Sequence, residues 1–489
     1  MMVVSLALAA VLGGPLLDGS KMDESLAAAL AAGRQVPVFV MMENQFIPPK
    51  AFDAWAAKSI DGDRLALRKQ VVAELKSRAR ETTTVAHKAL GDGADVRPAW
   101  IVNGFSAVVD AGQAQSLAER DDVMYLYPAG ALPPTRQSGT TPDIKIPSDR
   151  KQPTDVPWNV VKIGAKRVHD ELKITGKGSV VAMFEAGVHI DNDGLRGSVW
   201  VNKGEVPNNG KDDDHNGYVD DRYGWDFARM SPDVRGPAGR GSNHGTMTSG
   251  IVAGWSPTKA IAIAPDAKIM PVSAGGLYGT MLAFQYAIEN GADVVNMSYS
   301  IPDLGDTRGL WRLMAEHATA AGLVLISGAG NFQQSQQVPV QIRIPEGIPC
   351  VICAGGVDEN DEVPRFCSLG PVEWASVKFY SDYPMPKGLV KPDVCGFPGA
   401  GYPVIDPTKD AGLIDPNDRV RGNSFSGPHI SGIVAMMFQA DPHLTSMKVK
   451  QILEQTARDI APPGKDDRTG AGLTDAYKAV KKALSLSRQ

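Results

Sequence analysis

Residues 179–184 read SVVAMF, 268–273 KIMPVS, 293–298 DVVNMS, 323–327 LVLIS and 350–355 CVICAG. These short runs are apolar throughout rather than at every second position, so each strand they form must be covered on both faces. Helical spacing occupies the stretches between them, for example 281–290 and 310–321. Strands of this kind alternating with helices predict an α/β domain of three layers, a central, mostly parallel sheet between two helical ones. Ligands in such sheets meet the carboxyl ends of the strands, which directs attention to Glu185, Asn331 and Ser424.

Outward from this core, the rest of the 489-residue chain is of different character. Residues 3–17, VVSLALAAVLGGPLL, form an apolar run too short for a membrane span and suited to a signal-peptide core, although no basic residue precedes it; 1–20 is read as a signal-like segment of a secreted or extracytoplasmic protein. No other stretch is apolar enough to span a bilayer. Residues 35–128 show a β-α-β-β-α-β order: VPVFVMM, a helix over 52–80, AWIVNGFSAVVD around a turn at Asn103 and Gly104, a helix over 111–119, and VMYLYP. That order predicts a small α+β, ferredoxin-like domain. Residues 129–157 are rich in Pro, Thr, Ser and Asp and read as a linker, and the large domain spans 158–482. The C-terminal residues 481–489 are expected to fray.

Composition narrows the function. With 50 Lys+Arg against 55 Asp+Glu the net charge is −5, which lacks the basic excess of a nucleic-acid binder. Four Cys cannot staple a fold of this size, so the core must hold it.

Three motifs carry chemistry. His244 lies in NHGTMTSGIVAGW (243–255), Ser424 lies in GNSFSGPHISGIVAMMF (422–438), and Glu185 follows the strand at 179–184. Together they offer a general base, a hydroxyl nucleophile and a carboxylate to orient the base, while Asn331, after GAG, supplies an amide for an oxyanion hole. Their chain order, acid then His then Ser, is that of subtilisin. HGTMTSGIVAG resembles the HGTxVAGxxAG of subtilisin-like serine proteases, and GNSFSGPHISG resembles their GTSxAxPHVAG. GADVVNMSYS, GAGN and KPDVCGFPG are similar to the segments between, in the same order, so the resemblance covers roughly 158–480.

It implies a secreted endopeptidase in which His244 deprotonates Ser424, Glu185 holds the imidazolium and Asn331 binds the oxyanion. Ser298, Tyr299, Ser300, Gly328, Ala329 and Gly330 would bind a protein or peptide substrate. The N-terminal domain would be a propeptide that inhibits its own catalytic domain and is cut off shortly after Pro128, within the linker; the enzyme would act as a monomer. His429, in the nucleophile motif, reads as packing.

The chain departs from the pattern at several places. Glu185 stands where the family has Asp, and its extra methylene displaces the carboxylate by about 1.5 Å unless the side chain folds, when errors near 1 Å cost ~100-fold in rate. Asp191 and Asp193 lie past the strand end and are poorer candidates. Asn423 and Ser426 replace a Thr and an Ala, and Ser300 replaces a Gly where the first specificity pocket is lined. Glu185 also favours a rival, a catalytically impaired relative that binds peptides; an esterase of the α/β-hydrolase type would need G-x-S-x-G, and Ser426 occupies the second Gly.

Residues 208–227, NNGKDDDHNGYVDDRYGWDF, hold the densest acidic cluster. Asp212, Asp214 and Asn216 alternate ahead of Gly217 as at the start of a calcium loop, with the Tyr218 carbonyl and Asp221 completing a shortened site for a structural Ca²⁺. Cys350, Cys353, Cys367 and Cys395 are spaced C-x₂-C-x₁₃-C-x₂₇-C; buried thiols, disulfides and zinc are all compatible with that spacing, the thiols best with the surrounding strands.

Overall fold

The computed structural model describes residues 21–487, apart from positions 92, 148–150, 238, 303, 400, 415–419 and 461. The signal-like segment 1–20 lies outside the described residues.

The N-terminal unit contains α1 (Glu24–Ala31), β1 (Val36–Met42), α2 (Phe52–Ser59), α3 (Arg64–Leu90), β2 (Arg97–Ala99), β3 (Gly104–Val109), α4 (Ala111–Ala118) and β4 (Val123–Pro128). Its sheet runs β2-β3-β1-β4, antiparallel throughout, two interleaved βαβ units. The helix expected over 52–80 is two helices. Asp61-Gly62-Asp63 interrupts it, because the Asp63 carboxylate accepts from the Leu65 and Ala66 N–H groups and so starts α3 afresh.

The large domain follows the expected plan. A seven-stranded sheet of order β11-β10-β9-β8-β5-β7-β6, parallel at every pairing, is built from β5 (Val180–Phe184), β6 (Trp225–Asp226), β7 (Lys268–Ser273), β8 (Val294–Met297), β9 (Val324–Gly328), β10 (Ile352–Gly356) and β11 (Val394–Gly396). Six longer helices flank it: α5 (Arg240–Ala253), α6 (Gly276–Glu289), α7 (Thr307–Ala320), α8 (Ser426–Ala440), α9 (Ser446–Thr456) and α10 (Ala476–Leu486). Side chains from the two faces of the strands enter two separate cores. Ala182, Phe184, Val295 and Leu325 pack with α6 and α7, whereas Val181, Met183, Val294 and Ile326 pack with α5, α8 and α10. This is why the strands are apolar at every position. Of the residues expected to fray, those up to Leu486 are instead helical, since Ala476, Ala479, Val480 and Ala483 form a buried stripe on α10.

The two units are joined by buried polar contacts. Arg64 pairs with Asp293 at 2.8 Å and donates to the Gly322 carbonyl, and Arg68 donates to the carbonyls of Ala292 and Ala321. Both guanidinium groups thus satisfy carbonyls just beyond the end of α7. Burial pulls Arg68 down to about 10. On α7, the fully buried His317 meets the Ile101 carbonyl through Nδ1 (2.6 Å) and the backbone of Ile47 through Nε2.

The segment 129–157 is not a free linker. Gln137 brackets the Gly217 carbonyl and the Val219 N–H, Thr141 exchanges hydrogen bonds with Asn208, and Ile144 enters a small core with Val188, Ile190 and Ile405. Its polar composition reflects a strap whose hydrogen bonds are made to the large domain.

All four cysteines are free and buried. His429 is also buried: its Nδ1 lies 2.8 Å from the Phe425 carbonyl, its Nε2 3.0 Å from the Asn159 amide, and Phe397 and Tyr402 pack edge-on to the ring. The ring is therefore neutral, an Nδ1–H donor and Nε2 acceptor, and burial holds its pKa down to about 4. Because the unfolded imidazole titrates near 6.5, the folded protein loses stability as pH falls from about 6.5 towards 4, by an amount on the order of 3 kcal/mol for this group. Urea midpoints measured across that window should fall less steeply in His429→Gln than in the wild type; equal slopes would show that this ring does not contribute.

Candidate active site

Glu185 extends β5 by one residue, its N–H donating to the Val272 carbonyl of β7 at 3.1 Å. From there its side chain reaches α5. Oε2 lies 2.9 Å from Nδ1 of His244, and Oε1 accepts from Oγ1 of Thr248 at 2.9 Å, one turn further along the helix. Both carboxylate oxygens of the longer side chain are thereby engaged. The approach of helix to strand is close: a Cβ on Gly245 would sit 2.2 Å from the Gly187 carbonyl oxygen and 2.9 Å from Cβ of Glu185. Asp191 and Asp193 instead face Arg235 and Arg196.

The turn that carries Ser424 is tied to the strand ends from three directions. Ser424 lies in the short helical turn Asn423–Phe425 that opens α8, and its Oγ donates to the Ser298 carbonyl at 3.3 Å. Ser298 returns a hydrogen bond from its hydroxyl to the Ser424 carbonyl at 2.9 Å, and that hydroxyl is held in turn by Asn296. Asn423 donates through its side chain to the Gly330 carbonyl at 2.6 Å and through its N–H to Oδ1 of Asn331 at 2.8 Å. With Oδ1 so engaged, the exposed Asn331 side chain has its NH₂ as the donor end, beside Gly422. Phe425 packs its ring 6.0 Å from that of His244. Glu185, His244, Ser424 and Asn331 therefore converge from four elements.

Gly328, Ala329 and Gly330 are buried behind the nucleophile turn, with Ala329 N–H donating to the Ala354 carbonyl. Ser298 and Tyr299 line an open cleft of about 1520 Å³, with Glu185, His244, Gly275 and Gly276. This exceeds the roughly 300–1,000 Å³ of small-ligand pockets and has room for an extended chain. The end of β4 enters it, for Pro128, Ala129 and Gly130 also line the cleft. Ser300 donates to the fully buried Glu346 at 2.5 Å, while Oε2 of that carboxyl has no hydrogen-bond partner among the described residues and burial raises the group to about 7. Neither Thr248 nor Glu346 was among the expected site residues. Thr248 was visible as a departure inside its motif, Thr where the pattern has Val, but Glu346 carried no sequence signal.

In the acidic loop the carboxylates that come together are Glu205, Asp212 and Asp214, whose oxygens lie within 4.8 Å of one another. Glu205 precedes the motif and was not anticipated. Asp221 is engaged elsewhere: Tyr286 donates to it at 2.6 Å and the amides of Asn202 and Asn216 at 2.9 and 3.1 Å, and burial raises it to about 6. Oδ1 of Asn216 accepts the Tyr218 N–H, and the Tyr218 ring is packed among Trp225, Phe227 and Tyr286.

The model of the subtilase family matches residues 176–472, which include all four converging residues. The chain belongs to the subtilase family. Bacillopeptidase F of Bacillus subtilis is 24% identical over 502 residues, an alignment covering 94% of this chain and 32% of that protein. Subtilisin DY of Bacillus licheniformis is 27% identical over 250 residues, covering 49% of this chain and 78% of it, and subtilisin-like protease 1 of Plasmodium berghei is 22% identical over 317 residues, 62% of this chain and 50% of it. The chain thus spans about half the length of the Plasmodium relative and a third of bacillopeptidase F. No helix among the described residues is long and apolar enough to cross a membrane.

The tight approach at Gly245 has a measurable consequence. Gly245→Ala places a methyl group against backbone, an overpacking that costs about 1–3 kcal/mol. Its Tm should fall by several degrees in a thermal melt, and an unchanged Tm would mean that α5 is free to retreat from β5.

Proposed function

We propose that this subtilase is a secreted serine endopeptidase with Glu185 as the acid of its triad. The observation that carries the reading is the 2.9 Å contact of Glu185 with Nδ1 of His244 beside the Ser424 turn. In this mechanism the Ser424 hydroxyl turns from the Ser298 carbonyl to Nε2 of His244, gives up its proton and attacks a peptide carbonyl held in the cleft. Glu185 fixes the imidazole tautomer with Nδ1–H directed at Oε2 and stabilises the imidazolium. The Asn331 NH₂ and the Ser424 N–H, at the start of α8, receive the developing oxyanion. His244 then protonates the leaving amine, and water, activated by the same base, releases the acyl-enzyme.

Labelling with a fluorophosphonate probe tests this. Matured wild-type protein should label and Ser424→Ala should not; a folded, matured wild type that stays unlabelled would favour a peptide-binding relative without catalysis.

The N-terminal unit is read as an inhibitory propeptide, because the end of β4 lines the cleft and Arg64 and Arg68 reach carbonyls at the end of α7. It would be cut within 129–157. Ser424→Ala is then expected to persist as the uncut 52.0 kDa chain on a gel, whereas the wild type shortens. A wild type that also stays whole would refute self-processing. The apolar run at 3–17 supports export, and the enzyme is taken to act as a monomer on protein or peptide substrates.

Glu205, Asp212 and Asp214 would hold a structural Ca²⁺. Three carboxylates so close repel one another unless a cation lies between them, and hard oxygen donors suit calcium. Removing calcium with a chelator should lower Tm by several degrees in the wild type and by much less in Asp214→Asn; no chelator effect on the wild type would refute the site.

A further inference from the structure

We propose that Thr248 is the positioning residue that allows a glutamate to serve as the triad acid: its hydroxyl pins Oε1 of Glu185 so that Oε2 is left facing Nδ1 of His244. The inference rests on the serine-peptidase reading of the site.

A glutamate carries one more rotatable bond than an aspartate, and a carboxylate held only through His244 could swing about it. Here the group is held at two points, 2.9 Å from Thr248 Oγ1 to Oε1 and 2.9 Å from His244 Nδ1 to Oε2. Thr248 is completely buried and the Glu185 side chain is 6% exposed, so the bond between them is shielded from water.

The hydroxyl has a single proton and three acceptors in reach. The carbonyls of His244 and Gly245 lie at 3.2 and 3.1 Å, the usual back-bonding partners of a helical threonine. The carboxylate is nearest and charged, which makes it the preferred acceptor. Thr248 is β-branched and set in the middle of α5, which limits its χ1 to two rotamers. It also stands one turn beyond His244 on that helix, so base and pin move as one body relative to the strand end. The two departures from the family pattern at 185 and 248 are thus a touching pair: a longer acid, and a hydroxyl in place of a methyl to hold its far oxygen.

A merely structural threonine would satisfy helix carbonyls and leave catalysis alone. The two roles separate in the matured protein, produced from the full chain, with fluorophosphonate inactivation and peptide hydrolysis as readouts. Thr248→Val keeps the side-chain shape and removes the hydroxyl; it is expected to lower kcat and the inactivation rate 10- to 100-fold with little change in KM. Thr248→Ser, which retains the hydroxyl, is expected to stay within about threefold of the wild type. In a Glu185→Asp background the shorter acid no longer reaches Thr248, so adding Thr248→Val should cost less than about threefold. Thermal melts of each variant confirm folding, and Thr248→Ala replaces Thr248→Val if the latter does not fold. Full activity in Thr248→Val, or an equal loss in both backgrounds, overturns the inference while leaving the peptidase reading intact. Absence of labelling in the folded wild type overturns that reading, and the inference with it.

Discussion

The close approach of α5 to the carboxyl end of β5 is the constraint on which the rest of the site depends. It is possible because Gly245 has no side chain at the crossing point, where any Cβ would meet the Gly187 carbonyl. Through it, an imidazole on a helix and a carboxylate on a strand end come within hydrogen-bond distance although 59 residues separate them. The same logic holds on the other side of the cleft. Gly328 lets the end of β9 lie against the Asn423 carbonyl, and the nucleophile turn is then locked by hydrogen bonds to Ser298, Gly330 and Asn331. Strand ends thus anchor the helix that carries His244 and the turn that carries Ser424, which is how angstrom-scale geometry is maintained.

The N-terminal unit is held by apolar and polar contacts together. Phe39, Met41, Phe52 and Leu75 share one buried core with Phe284 of α6 and Leu313 of α7, while guanidinium groups meet helix-end carbonyls and the imidazole of His317 bridges two backbone segments. The polar groups are costly to bury unless their donors are met, so they give the apolar interface its register. The strap that follows β4 extends the same principle, running from the cleft to the acidic loop on hydrogen bonds from Gln137 and Thr141.

Much of the molecule was legible in the chain itself. The double-sided apolar runs dictate a covered parallel sheet, because a strand with no polar face has no other stable place. The motifs around His244 and Ser424 were legible for a related reason, since their glycines and small residues are demanded locally by the backbone. The break before α3 was missed because one Asp-Gly-Asp turn outweighs a continuing helical pattern, and the burial of α10 was missed because it depends on a distant partner.

What the sequence alone determined is therefore the fold class, the order of the elements and the identity of the groups at the strand ends, all of which follow from local spacing and polarity. Only the tertiary structure decided which of those groups touch. That Oε1 of Glu185 falls on Thr248, that Glu205 joins Asp212 and Asp214, and that Ser300 faces a buried Glu346 are each matters of side chains brought together from separate segments. Hydrogen bonds and charge contacts act over a few ångströms, and no periodicity along a chain encodes a distance of that kind between elements packed by the core.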